Sequence, residues 1–462
     1  MAQIFNAVSA RLHRRDVIGR VSAALAGSVL AACAPQGGGG QAGAPGQTGA
    51  KQVTLEFWTP WAPNAPDGQL LQNTLLPEFE KANPGLKVNY TQVATSGNTQ
   101  ASEKLLTAIN AGTPPDVNYF DRFIVTSWAA QGFLTDISDY AKRDNFTQSM
   151  FLKEAWDEAT WAGKLYATPF TTDFRMLYYN KAHFQEAGLD PDKPPRTIAE
   201  LDEMAEKLTK RDGAKFSRMG FVPWAYQGWL YTWGWLWGGE FYDPKANRVT
   251  ANDPKIVQAL TWMVSYAQKY GIETVDNFTA AFRSQTGFQG NDQHAFVNGL
   301  LSMVADGDWQ IAIFKNYMKP EQFQQFDVVE LPQAPGGPST SSWGGGWSIV
   351  LPRGVKNKDQ AWVFAKWWAT EGQKIYVQAL TRVPTLLSLF DEKQFQSTDP
   401  RWRKFLALKD IVRFRPNIPV GQMLWTELAT ATDDAIHGKG TPKQLLDGVT
   451  ERVNRELAKF SK

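Results

Sequence analysis

The chain has 462 residues, 43% hydrophobic and 20% charged, a globular composition with length for two or three domains. The net charge of +2 comes from the N-terminus: the first 32 residues hold four Arg against one Asp, a net +3, which leaves about −1 for the rest. A near-neutral body offers no basic surface for nucleic acid, one cysteine excludes an intrachain disulfide, and four histidines leave little material for a zinc site.

Residues 11–32 read RLHRRDVIGRVSAALAGSVLAA, a basic segment followed by an apolar run from Val21 to Ala32. That run falls short of the ~20 residues a bilayer span needs, so 1–32 reads as an export signal. RRDVI (14–18) resembles a twin-arginine motif, and LAAC (30–33) resembles the lipobox of bacterial lipoproteins. The resemblance implies cleavage before Cys33, a lipid on its thiol, and attachment to the outer face of the cytoplasmic membrane. Residues 34–50, APQGGGGQAGAPGQTGA, carry no charge and no large apolar group, so 33–51 reads as a lipidated cysteine and flexible tether. Gly38, Gly40 and Gly43 match G-x-G-x-x-G by spacing, but no strand precedes them and no nucleotide site follows.

From Val53 onward, strand patterns alternate with helical ones. Strands are predicted at 53–58, 86–93 and 116–120, with helices at 75–85, stopped by Asn-Pro-Gly, and at 103–112. This order predicts an α/β domain with a largely parallel sheet. A helix at 197–210 opens on Thr197 and Glu200, a capping box. A helix at 252–271 has Pro254 in its first turn, and one at 441–457 spaces Leu446, Val449, Val453 and Leu457 along one face.

No zinc-protease, hydrolase-elbow or phosphate-loop motif occurs, and His183, His294 and His437 are scattered. Tryptophan is abundant instead: 19 in all, with a cluster in PWAYQGWLYTWGWLWGG (223–239). Flat indole faces suit both a core and the C–H faces of pyranose rings, whose hydroxyls pair with carboxylates and arginine.

Six segments in order resemble the bacterial extracellular solute-binding proteins that feed sugars to ABC importers. They are FEKANPGLKV (79–88), GTPPDV with FDRF (112–123), YATPFTTDFRMLYYNKAHFQEAGL with PPRTIAEL (166–201), NGLLSMVADGDW (298–309), GGGWSIVLPRGVKNKDQAWVFAKWW (344–368) and RPNIPVGQMLW (415–425). The resemblance implies a two-lobe α/β periplasmic-binding-protein fold of type II, maltose-binding-protein-like, with crossing hinge strands and a ligand cleft between the lobes. It places lobe one at 52–170 plus 332–372 and lobe two at 174–328 plus 376–462. It also implies closure of the cleft around a di- or oligosaccharide and delivery to a membrane permease, by a chain that is not an enzyme and acts as a monomer. No cofactor or metal is expected.

By the same resemblance, Asp121 and Arg122 follow a strand end and face the crevice. Asp173 lies where the chain crosses between lobes, with Arg175 two residues on and on the same strand face. Trp309 and Trp425 match stacking tryptophans, and Trp229 is the choice from the aromatic cluster. Gly345 and Gly346, with Trp347, would let backbone N–H groups approach ligand. Arg382 is expected to line the cleft. Trp61 stands in the first loop in place of the Asp-Lys pair of the maltose-binding members, which argues against maltose itself.

Two other readings compete. The same fold could take glycerol-phosphate, a polyamine or a metal; a phosphate would want more cleft Arg or Lys. A glycoside hydrolase would need two carboxylates about 5–10 Å apart, with Asp306 and Asp308 as nominees.

Overall fold

The computed structural model describes residues 52–93, 97–283, 293–339, 341–390 and 399–460. The export signal, Cys33 and the tether lie outside the described residues.

Nine strands form the main sheet among these residues. In chain order they are β1 Val53–Thr59, β2 Leu86–Gln92, β3 Val117–Asp121, β4 Ala167–Asn180, β5 Met303–Gly307, β6 Phe326–Val329, β7 Ser342–Val350, β8 Val383–Pro384 and β9 Val412–Phe414. The spatial order is β5-β4-β7-β3-β1-β2, with β6 and β8 also on β4 and β9 on β7. β1 pairs in parallel with β2 and β3, as the alternation of strand and helix predicts. The long strands β4 and β7 instead run antiparallel to each other, and β7 runs antiparallel to β3. The sheet is therefore mixed, parallel across β2-β1-β3 and again where β9 joins β7.

β4 organises the molecule. Its sequence, ATPFTTDFRMLYYN, is rich in Thr and aromatic residues, and its burial is nearly continuous. Residues up to Phe174 pair with β7, whereas Arg175 onward pairs with β5 and Leu177 onward with β6. One strand thus leaves the first lobe and enters the second. A register shift opposite Trp347 and Ser348 leaves Phe170 of β4 without a partner on β7, next to Pro169. A proline cannot donate to the ladder, and bulges accommodate that.

The predicted helix signals are present. Thr197 and Glu200 close a capping box on Ile198–Leu208, Asp253 caps Pro254–Tyr270, and Thr441 caps Pro442–Leu457. Helical structure before β2 begins at Pro66, well ahead of the predicted 75, because Pro66 occupies a first-turn position and a π turn at Leu71–Leu75 carries the helix on to Ala82. Helix Gln373–Leu380, which spans the predicted lobe border, packs against Pro66–Leu70 and stacks Tyr376 on Trp61. Nine of the 19 tryptophans are buried in the core, and Trp233, Trp343, Trp362, Trp368 and Trp402 are fully so.

Candidate functional site

A chamber opens where β4 and β7 cross; the atom-free space in and in front of it is about 460 Å³, open solvent included. Its walls bring together residues from every part of the chain. Trp61 comes from the first loop, Tyr119 from β3, Thr171, Thr172 and Asp173 from β4, Trp309 and Ile313 from beyond β5, Trp347 from β7, and Tyr376 and Arg382 from around β8.

The aromatic walls are stacked pairs. Trp61, 3% exposed, lies parallel to Tyr376 with ring centroids 5.1 Å apart and an interplanar angle of 2°. Tyr119 lies against Trp347 at 4.8 Å and 13°, and the two pairs meet where Trp61 is 4.8 Å from Tyr119. Phe170 and Trp368 back them. Trp309 is half-buried and folds back over Gly307: a Cβ at Gly307 would fall 1.9 Å from the indole, so only glycine admits that pose. The Arg175 guanidinium sits 5.2 Å from the Trp309 ring and 3.6 Å from that of Trp343.

The polar wall is made of paired charges. Asp67 accepts from the Tyr376 hydroxyl at 2.5 Å and from Arg382 Nη2 at 3.4 Å. Arg382 also donates to the Trp309 and Leu380 carbonyls, at 3.3 and 2.9 Å. Burial pulls the Arg382 pKa down, but Tyr376 and Asp67 outweigh it and the guanidinium stays charged. Asp173 accepts from Arg175 Nη1 and from the Gly345 N–H at 3.0 Å. Behind it Asp308, 0% exposed, accepts from the Phe174 N–H at 3.0 Å, while its Oδ2 has no partner. Burial, aided by Asp173, pushes the Asp308 pKa up to about 7 against the weaker pull of Arg382 and Arg175.

Of the residues predicted from sequence, Trp61, Asp173, Trp309, Trp347 and Arg382 line this chamber. Arg175 stands just behind Asp173. The others are placed differently. Arg122 is 0% exposed and spends its donors on Glu158 at 2.8 Å, the Thr171 carbonyl at 2.5 Å and the Gly345 carbonyl at 2.9 Å. It is a strut tying helix Lys153–Glu158 to both crossing strands, not a chamber residue. Asp121 caps Phe123 and pairs with Arg415 Nη2 at 3.2 Å. Burial raises the Asp121 pKa, and Arg415 opposes that.

Gly345 and Gly346 admit protein groups rather than ligand. The Gly345 N–H already serves Asp173, and a Cβ there would lie 3.0 Å from Arg415. At Gly346, φ is +146° and a Cβ would lie 2.1 Å from the Thr171 carbonyl. Trp229 and Trp425 are half-buried and contact each other at 4.7 Å, outside the chamber walls. Asp306, nominated as half of a carboxylate pair, is fully buried and held by His294 at 3.2 Å and Gln310 at 3.0 Å. Among the described residues no group of three or more His, Cys, Asp or Glu is placed to hold a metal.

Sequence reasoning missed Asp67, Tyr119, Thr171, Thr172, Ile313 and Tyr376. Tyr119 had a signal, since it lies two residues before Asp121 and so shares its strand face. Asp67 had one too, following Pro66 at the start of a helix, and it supplies the acid that the first loop appeared to lack. Tyr376 had none; its place depends on how helix Gln373–Leu380 docks.

Residues 62–375 match the family described as Bacterial extracellular solute-binding protein. The chain belongs to that family. A maltooligosaccharide ABC transporter solute-binding lipoprotein of Streptococcus pneumoniae is 25% identical over 353 residues, 74% of this chain and 76% of that one. An sn-glycerol-3-phosphate-binding periplasmic protein of Salmonella paratyphi A is 24% identical over 449 residues, 89% of this chain and 94% of that one. Among solved structures, the mannobiose-bound protein CpMnBP1 is 30% identical with a TM-score of 0.77, covering 87% of this chain and all of that one. The fold is accordingly that of the maltose-binding-protein-like solute-binding proteins, two lobes joined by crossing strands.

Proposed function

We propose that this chain is the substrate-binding lipoprotein of an ABC importer, and that it captures a neutral di- or oligosaccharide in the chamber by hinge closure and hands it to a membrane permease. The supporting observation is the pairing of aromatic faces with compensated charges around one open chamber. Trp309 and Trp347 offer apolar faces to pyranose C–H groups, with Trp61 packed among the rings that support them, while Asp67, Asp173 and Arg382 present acceptors and donors to hydroxyls. In this reading the lobes, 52–170 plus 332–372 and 174–328 plus 376–462, approach each other by flexing of β4 and β7.

The same charges weigh against glycerol-phosphate. Arg382 is already paired with Asp67, and Arg175 behind the wall with Asp173, so a phosphate would face two carboxylates. The buried, partnered state of Asp306 and of Asp308 Oδ1 supports binding without hydrolysis. Cys33 is the proposed lipid anchor on the outer face of the cytoplasmic membrane, with twin-arginine export and a monomeric working state. Cys33→Ser should release the protein from native-host membranes.

A thermal-shift series with mannobiose, mannotriose, maltotriose and sn-glycerol-3-phosphate tests the function. Since a ligand that binds only the native state raises the melting temperature, at least one neutral sugar should do so. A shift with glycerol-phosphate alone would overturn the sugar assignment.

A further inference from the structure

The chamber stops short of the second aromatic platform, Trp229 and Trp425, and one side chain stands at the boundary. β9 runs parallel to β7 with Phe414 opposite Gly344, which sets the next residue, Arg415, beside Gly345. There its Nη2 lies 3.0 Å from where a Gly345 Cβ would be, close to the Asp173 wall of the chamber. Its guanidinium also stacks 3.7 Å from the Phe123 ring and lies 5.2 Å from Trp425. Asp121 fixes it through the 3.2 Å contact. Arg415 is thus 5% exposed and stands between Gly345, whose N–H bonds Asp173 of the chamber wall, and the outer platform.

Packing alone does not account for an arginine here. The ion pair with Asp121 leaves its Nε buried with no hydrogen-bond partner, and a buried donor left unpaired is a net cost. Gly345 opposite makes room for it, since a side chain at 345 would press on the guanidinium.

We propose that Arg415, pinned by Asp121, is a partition that sets ligand length: it confines the sugar to the inner chamber and keeps a further ring from reaching Trp425. This rests on the sugar-binding reading above and deepens it. A ligand one ring longer than the chamber holds gains nothing from Trp229 and Trp425 while Arg415 is in place. Shortening the side chain joins the two spaces and offers the extra ring an indole face. Asp121→Asn does the same more weakly, by removing the charge that holds the guanidinium.

The test is calorimetric titration of wild type, Arg415→Ala, Asp121→Asn and the double variant Arg415→Ala/Trp425→Ala. The sugars are mannobiose against mannotriose and maltose against maltotriose. The quantity read is the ratio of trisaccharide to disaccharide affinity. In Arg415→Ala it should rise by about tenfold in the series that binds, the scale of a well-placed aromatic contact. It should rise less in Asp121→Asn and fall back in the double variant. An unchanged ratio in Arg415→Ala, or in Asp121→Asn should the first fail to fold, overturns the partition while leaving sugar binding intact. No binding of any of the four sugars by wild type or variants overturns the sugar reading and the partition together.

Discussion

The inner chamber and the outer Trp229–Trp425 platform use the same residue types and come to opposite ends. Both combine tryptophans, an aspartate and an arginine. In the chamber, Arg382 lies along the wall, tied to Asp67 and to the Trp309 and Leu380 carbonyls, so the aromatic faces border open space. At the platform, Arg415 lies among the rings of Phe123, Trp343 and Trp425, and the space is filled. Composition therefore specifies the materials of a sugar site, whereas the partner of each arginine decides whether a cavity is left.

The wall shared by both regions gives the largest effect. Glu158→Gln removes the carboxylate that pairs with the fully buried Arg122 at 2.8 Å. A buried charge stripped of its partner costs about 3–5 kcal/mol, so the melting transition should drop sharply while residual folded protein keeps its affinity. A loss of affinity without loss of stability would mean that Arg122 touches ligand after all. Next, Trp309→Ala should weaken sugar binding by about 2 kcal/mol or more with little change in melting, because the ring forms a chamber wall and is only half-buried.

A pH-dependent effect arises at Asp308, behind the chamber wall. The Asp308 pKa is about 7 in the folded chain and ~3.9 when unfolded, so the native state holds the extra proton in between. The carboxyl therefore weakens the fold as pH rises from about 4 to about 7 and changes nothing further above that. Asp308→Asn should flatten the stability–pH curve in that window relative to wild type, in chemical denaturation at several pH values. Identical curves would contradict the burial assigned to Asp308. The smallest effect is expected from Trp425→Ala, which should leave disaccharide affinity within about twofold in the titration. A larger loss would show that the inner chamber is not the whole site.

Much of this was legible in the sequence because it rests on local chemistry. Thr197 with Glu200 announces a helix start, and Pro254 in a first turn announces another. Trp61, Asp173, Trp309, Trp347 and Arg382, proposed by resemblance, lie on the chamber wall. The remainder depended on contacts between distant residues. Arg122 follows a strand end as a ligand-facing arginine would, but Glu158, 36 residues on, claims it. Gly345 sits beside Asp173 and Arg415 through two strand registers that no local pattern encodes. Tyr376 reaches Trp61 only through the docking of a whole helix.

Hydrogen–deuterium exchange with and without the sugar that raises the melting temperature most tests sugar capture in the chamber directly. Protection should appear on adding sugar in the peptides that hold Thr171–Asp173, Trp309 and Arg382, and the peptide that holds Trp425 should be the least affected of the cleft segments. Protection confined to other surfaces, with none at Asp173 and Trp309, would contradict it.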